Sequence, residues 1–210
     1  MKNIVTTVFA FVLAFNLISC KSENKSVTKE PTIEKEPKKS KAAFNVSNAD
    51  TDIKFTAYKT TDKIGVGGAF KKIDIMNGGE GNTLKEAIND TEFSIPVSSL
   101  ATMDSSRDYK IKKFFFGIMD NPKLLSGKLQ LVDDANGIAN ITMNGETKPV
   151  PFVYTIQRDE FNMKATIDIN NWNASKALAS LNKVCEDLHK GADGVSKTWS
   201  EVDLNITTTF

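Results

Sequence analysis

The sequence predicts an all-β, antiparallel domain with short helical insertions and one longer helix near its C-terminus. Three observations carry that prediction. From about Phe44 onward, at least six segments alternate apolar and polar residues, as a sheet with one dry and one wet face requires. Two of them are joined by Asn144-Gly145, a pair that readily takes the positive backbone angles of a tight hairpin. Helical spacing is confined to three stretches, the longest around residue 180. Strands with one dry face either stack as a sandwich or close as a barrel, and alternation alone fits both.

The chain opens on a segment of another kind. An apolar run from Ile4 to Ser19 follows Lys2 and stops at Cys20. It is short for a bilayer span, which takes ~20 apolar residues, and has the anatomy of a secretory signal. Leu17-Ile18-Ser19-Cys20 looks like a bacterial lipobox, in which the thiol is joined to diacylglycerol and cleavage falls before the cysteine. Residues 1–19 are therefore expected to be a lipoprotein signal peptide and Cys20 the lipidated residue. Residues 20–43 read as a lipid-anchored flexible linker. Between residues 21 and 41 there are seven lysines, four glutamates and two prolines but few apolar side chains. Such a tract cannot bury enough surface to fold. Residues 42–210 carry 19 basic and 22 acidic groups, hence −3, so no field exists to attract nucleic acid.

The remaining residues, 44–210, are assigned to one domain. In "DIKFTAY" Ile53, Phe55 and Ala57 share a face; in "EFSIPV" Phe93, Ile95 and Val97 do, and in "GKLQLV" Leu129 and Leu131. Ile141 and Met143 lead into the Asn-Gly turn, and Val150, Phe152 and Tyr154 follow it. "FNMKATIDI" alternates from Phe161 through Met163 to Ile169, and "EVDLNITTTF" alternates Val202, Leu204 and Ile206 with polar residues. Among the helical stretches, Thr83 and Glu86 stand at capping-box spacing, as do Ser105 and Asp108. The longest carries Ala174, Ala177, Leu178, Leu181, Val184, Cys185 and Leu188 on one stripe, with Gly191 as its stop.

Catalytic chemistry finds little support. Gly65-Val66-Gly67-Gly68 beside Lys71 and Lys72 lacks the spacing of a phosphate loop and sits in a strand, where glycines mark a bulge or a close approach. His189 is the only histidine, so a histidine-based metal cluster is excluded, and its place near a helix end predicts a capping or surface role. Cys185 lies on an apolar helix face and reads as a buried structural thiol. No catalytic residue, metal or cofactor is expected. Trp172 and Trp199 stand by strand ends, as core corners or portal residues.

Four segments, in order, resemble the YceI-like, polyisoprenoid-binding domain family. "DIKFTAYKTTDKIGVGGAFKKIDI" is similar to its opening hairpin, with Gly68 and Phe70. "FSIPVSSLATMDSSRDYKIKKFFFGIMDNPKLLSGKL" is similar to its central region, with Thr102, Arg107-Asp108, adjacent phenylalanines and Pro122. "ITMNGETKPVPF" resembles its glycine-threonine-lysine-proline hairpin, and "GVSKTWSEVDLNI" its final strand. The resemblance implies a lipocalin-like antiparallel β-barrel holding a polyisoprenoid or similar long-chain lipid.

An interior of about eight strands either fills with side chains or holds one small ligand. In the loaded version an apolar tail threads between Phe55, Phe70, Phe93, Ile95, Phe115, Leu131, Met143, Phe152, Met163 and Leu204, with Arg107 and Lys71 as candidate polar head contacts. The expected protein is a non-enzymatic cell-envelope lipoprotein. It is anchored by Cys20, at the outer membrane facing periplasm or exterior, and carries or sequesters the lipid; a homodimer is compatible with it. The alternative is a structural or interaction lipoprotein with a packed barrel and no ligand.

Overall fold

The wall of the molecule is one continuous antiparallel sheet, seen in a computed structural model that describes residues 41–210. Its strands are β2 (Asp50–Lys59), β3 (Ile64–Phe70), β4 (Asp74–Asn77), β6 (Glu92–Pro96), β7 (Leu100–Ala101), β8 (Leu124–Leu131), β9 (Asn136–Met143), β10 (Glu146–Gln157), β11 (Glu160–Asp168) and β12 (Thr198–Thr209). They pair in the order β4-β6-β8-β9-β10-β11-β12-β2-β3-β7. A separate two-stranded ladder joins β1 (Phe44–Asn45) to β5 (Glu80–Gly81).

The two ends of that order belong to the same two stretches of chain. Strand β4 continues β3 after three residues, and β7 continues β6 after one short 3-10 turn, Val97–Ser99. Phe70 pairs with Leu100 while, a few residues on, Ile75 pairs with Phe93. The Lys71 N–H bridges the bend to the Ser99 carbonyl at 3.0 Å. The sheet therefore returns on itself as an eight-stranded barrel built from two bent and six straight staves. Sandwich and barrel, equally compatible with the alternation, are separated by this seam.

Local chemistry explains the turns. Asn144 and Gly145 have φ of 51° and 75°, as a two-residue hairpin between β9 and β10 demands. Helix α1 (Leu84–Ile88) opens on the Thr83–Glu86 capping box. Helix α2 (Ser105–Lys110) differs from its expected start. Asp104, not Ser105, is the cap, its carboxylate accepting the Arg107 N–H at 3.0 Å. Asp108 instead turns back to accept the Thr102 N–H and hydroxyl at 2.8 and 2.6 Å. The chain runs on through a π-turn (Ile111–Phe115), in which the Phe116 N–H reaches the Ile111 carbonyl. Helix α3 (Ser175–Val184) stops at Cys185 rather than Gly191. There the Cys185 N–H divides between the Leu181 and Asn182 carbonyls and tightens the last turn, so Leu188 turns outward, 58% exposed. Trp172 is a core corner, its indole N–H donating to the Ile141 carbonyl at 2.9 Å.

Candidate functional site

Alternate residues of every strand point inward, and three cross-strand pairs decide how much room they leave. Phe55 stands opposite Gly68, Phe93 opposite Gly127 and Phe152 opposite Gly137. Each ring reaches over its glycine. A Cβ added at Gly68, Gly127 or Gly137 would come within 2.3, 2.8 or 2.2 Å of the facing ring. Laid against the wall, these rings do not meet in the middle.

A cavity of about 220 Å³ runs inside the barrel. Strand β2 lines it from Thr51 to Ala57 and β12 from Val202 to Thr208, so it follows ~20 Å of strand. One end is closed by Val46, Ile88 and Thr91, beside α1; the other by Ile111 and Phe115 of the π-turn with Leu178 and Leu181 of α3. The lining is aliphatic, aromatic and methionine side chains, with threonines as the hydroxyl-bearing members. The cavity exceeds the ~150 Å³ at which an engineered apolar void stays dry and takes up benzene. It is below the ~300–1,000 Å³ of pockets for drug-sized ligands.

Of the residues expected to line a tunnel, Phe55, Phe70, Phe93, Ile95, Phe115, Met143, Met163 and Leu204 face this cavity. Leu131 and Phe152 do not. Leu131 ends β8 beside α1, its N–H held by Asn89 Oδ1 at 2.8 Å. Phe152 is buried against Gly137 and Tyr154, filling the β9–β10 side. Neither expected head contact reaches the lumen. Arg107 braces the loop before α2, donating to the Thr102 carbonyl at 3.4 Å and pairing with Asp104 at 3.7 Å. Lys71 is exposed at the seam. Alternation missed the helical closure by Ile111, Leu178 and Leu181, although the apolar stripe of α3 marked a face that needs cover.

The polar groups nearest the helical end form a short relay. Thr198, which lines the cavity, donates its hydroxyl to Asn182 Oδ1 at 2.7 Å, so His189 Nδ1, 2.7 Å from Thr198 Oγ1, is the donor to that hydroxyl oxygen. Burial holds the imidazole pKa below its ordinary value, and the charges of Lys59 and Lys110 push the same way. His189 is thus half-buried and hydrogen-bonded rather than a surface residue. Cys185 is buried, and burial raises its thiol pKa, leaving the unreactive protonated form. Trp199 lines the cavity, and its indole N–H donates to the Thr60 carbonyl at 2.7 Å. Among the described residues no cluster of three His, Cys, Asp or Glu could hold a metal.

A closed antiparallel barrel with a long apolar lumen defines a lipocalin-like protein. The chain belongs to the YceI-like domain family, whose sequence profile matches residues 36–210. Among solved structures it is similar to a polyisoprenoid binding domain from Saccharophagus degradans implicated in plant cell wall breakdown. That match has a TM-score of 0.54 and 10% identity, and covers 80% of this chain and 98% of that one. It is also similar to Burkholderia cenocepacia BcnA, with a TM-score of 0.49 and 14% identity, covering 80% of this chain and 99% of that one. At such identities the likeness concerns the fold. No curated protein matches the chain.

Proposed function

We propose that the protein binds a long-chain apolar ligand, a polyisoprenoid or similar lipid, inside its barrel, and carries or sequesters it at the cell envelope. The slender cavity lined by apolar side chains carries this reading. Withdrawing a methylene from water into such a lining contributes roughly 0.8 kcal/mol, so affinity grows with the length of chain accommodated. Its modest volume suits an unbranched or methyl-branched chain better than a ring system, and Met143 and Met163 adapt to an irregular one. Lipidation at Cys20 completes the proposal, by holding the barrel beside the membrane in which its ligand resides. Cys20, the signal peptide and the linker to residue 40 lie outside the described residues.

Natively purified protein extracted with organic solvent is expected to release one long-chain amphiphile per barrel by mass spectrometry. Added long-chain lipid is expected to raise the melting temperature of emptied protein. Recovery of no stoichiometric lipid, with no such rise, overturns the proposal. The small volume favours a second reading, a tethered scaffold without a ligand, and that outcome would select it.

A further inference from the structure

We infer that the outer face of the helical end is a docking surface for an anionic lipid membrane. Ile111 and Phe115 of the π-turn point into the cavity. Residues two positions apart on a helical segment point in nearly opposite directions, so Lys113, between them, faces out. Its ammonium lies 5.2 Å from the Tyr109 ring centroid and 5.3 Å from that of Phe114, and donates to the Tyr109 hydroxyl at 2.7 Å. Tyr109 is 55% exposed and Ile118, at the end of the same segment, 51%.

Charge on this face is one-sided. From Asp104 to Ile118 the chain carries Arg107, Lys110, Lys112 and Lys113 against Asp104, which pairs with Arg107, and Asp108, whose carboxylate is turned inward to Thr102, so three lysines are left over. The adjoining helix α3 adds Lys176 and Lys183, and the acids that follow it, Glu186 and Asp187, pair with Lys190. Residues 42–210 as a whole carry −3, so this face stands out against a domain that an anionic surface otherwise repels. Exposed Tyr109 and Ile118 and half-buried Phe114, interleaved with lysine, are what a headgroup region takes up: rings at the boundary, ammonium groups on phosphates.

The chain before the barrel permits this orientation. Phe44 enters at the opposite end, against Gly81 and Phe210. Residues 21–43 extend to at most about 80 Å, roughly twice the ~40 Å of a twelve-residue strand such as β10. A barrel tethered at Cys20 can therefore present its far end to the same membrane. Only this tether is taken from the proposed function; the face is argued from its own residues.

Every buried apolar residue described lies between Val46 and Cys185, so residues 41–210 form a unit with its own core. That unit is tested by co-sedimentation with phosphatidylcholine vesicles, with and without phosphatidylglycerol. Binding is expected only with phosphatidylglycerol and is expected to weaken with salt. The double variant Lys110→Gln/Lys113→Gln should lose about 25-fold, at roughly fivefold per lysine. Lys54→Gln/Lys85→Gln, on the wall and near the other end, should match the parent. Absence of binding, equal binding to both vesicles, or equal loss in both double variants overturns the inference. Lipid extracted from the same samples reports cavity loading separately. Docking without a loaded cavity would overturn only the proposed function, and a loaded cavity without docking only this inference.

Discussion

Thr60 shows what single positions cost in this barrel. It is β-branched, yet its φ is 60°, in the left-handed region, and its hydroxyl is the one buried side-chain polar atom without a hydrogen-bond partner among the described residues. Its carbonyl and N–H, in contrast, are used by Trp199 and Lys197. Thr60→Gly keeps both backbone bonds, removes ~1–2 kcal/mol of steric strain and the cost of an unpaired hydroxyl, and gives up a methyl and some chain entropy. We expect a net gain of about 1 kcal/mol, read as a melting temperature ~2–4 °C higher. A lower one would mean that the hydroxyl has a partner. His189 sets a pH dependence. Its folded pKa lies below the ordinary 6.5, so the unfolded chain takes up the proton first. That stability is complete above pH 6.5 and is lost as pH falls through 6.5 toward the lowered value. His189→Gln should flatten the fall in denaturation midpoint between pH 7 and 5. An unchanged slope would exclude the imidazole as its source. Asp104, whose carboxyl pKa is held low chiefly by the Arg107 N–H, acts in the same direction but below its ordinary 3.8.

At the scale of elements, the phenylalanine–glycine pairs decide whether the lumen exists. The atoms nearest a methyl at Gly68 belong to side chains, the Phe55 ring and a Thr102 methyl, and the ring can swing into the void. Gly68→Ala should therefore cost less than about 1 kcal/mol yet narrow the cavity. Gly137→Ala also meets the Gln130 carbonyl at 2.7 Å, backbone that cannot yield, and should cost ~1–3 kcal/mol. Urea denaturation of the two variants checks the order, and equal losses would contradict it. The long strands were legible because inward positions recur every second residue. The three pairs were not, because they join residues 13 to 34 positions apart in sequence and register is set by the closed sheet. β1, β5 and β7, two residues each, are too short to show any period. The stop of α3 at Cys185 was invisible because its stripe runs on through Leu188 without a breaker.

For the whole molecule, the decisive question is whether the interior is void or fill. Ala139 is buried and lines the cavity. In a packed core, Ala139→Leu would cost ~1–3 kcal/mol by overpacking. Here the added carbons enter the lumen, so melting temperature should hold or rise while uptake of a fluorescent long-chain lipid falls several-fold. A destabilised variant with undiminished uptake would place the ligand elsewhere. Sequence motifs gave the family and its barrel, but closure was not readable from alternation. It depends on two bends, at Lys71–Ile73 and Val97–Ser99, that bring β3 to β7 and β4 to β6. That closure has a consequence for a protein concentrated on a surface. An open sheet ends in rows of unmet amides and carbonyls onto which a neighbour's backbone can add, layer after layer. Here the seam pairs the end of β3 with β7 and β4 with β6, which shortens the border on which crowded copies could polymerise.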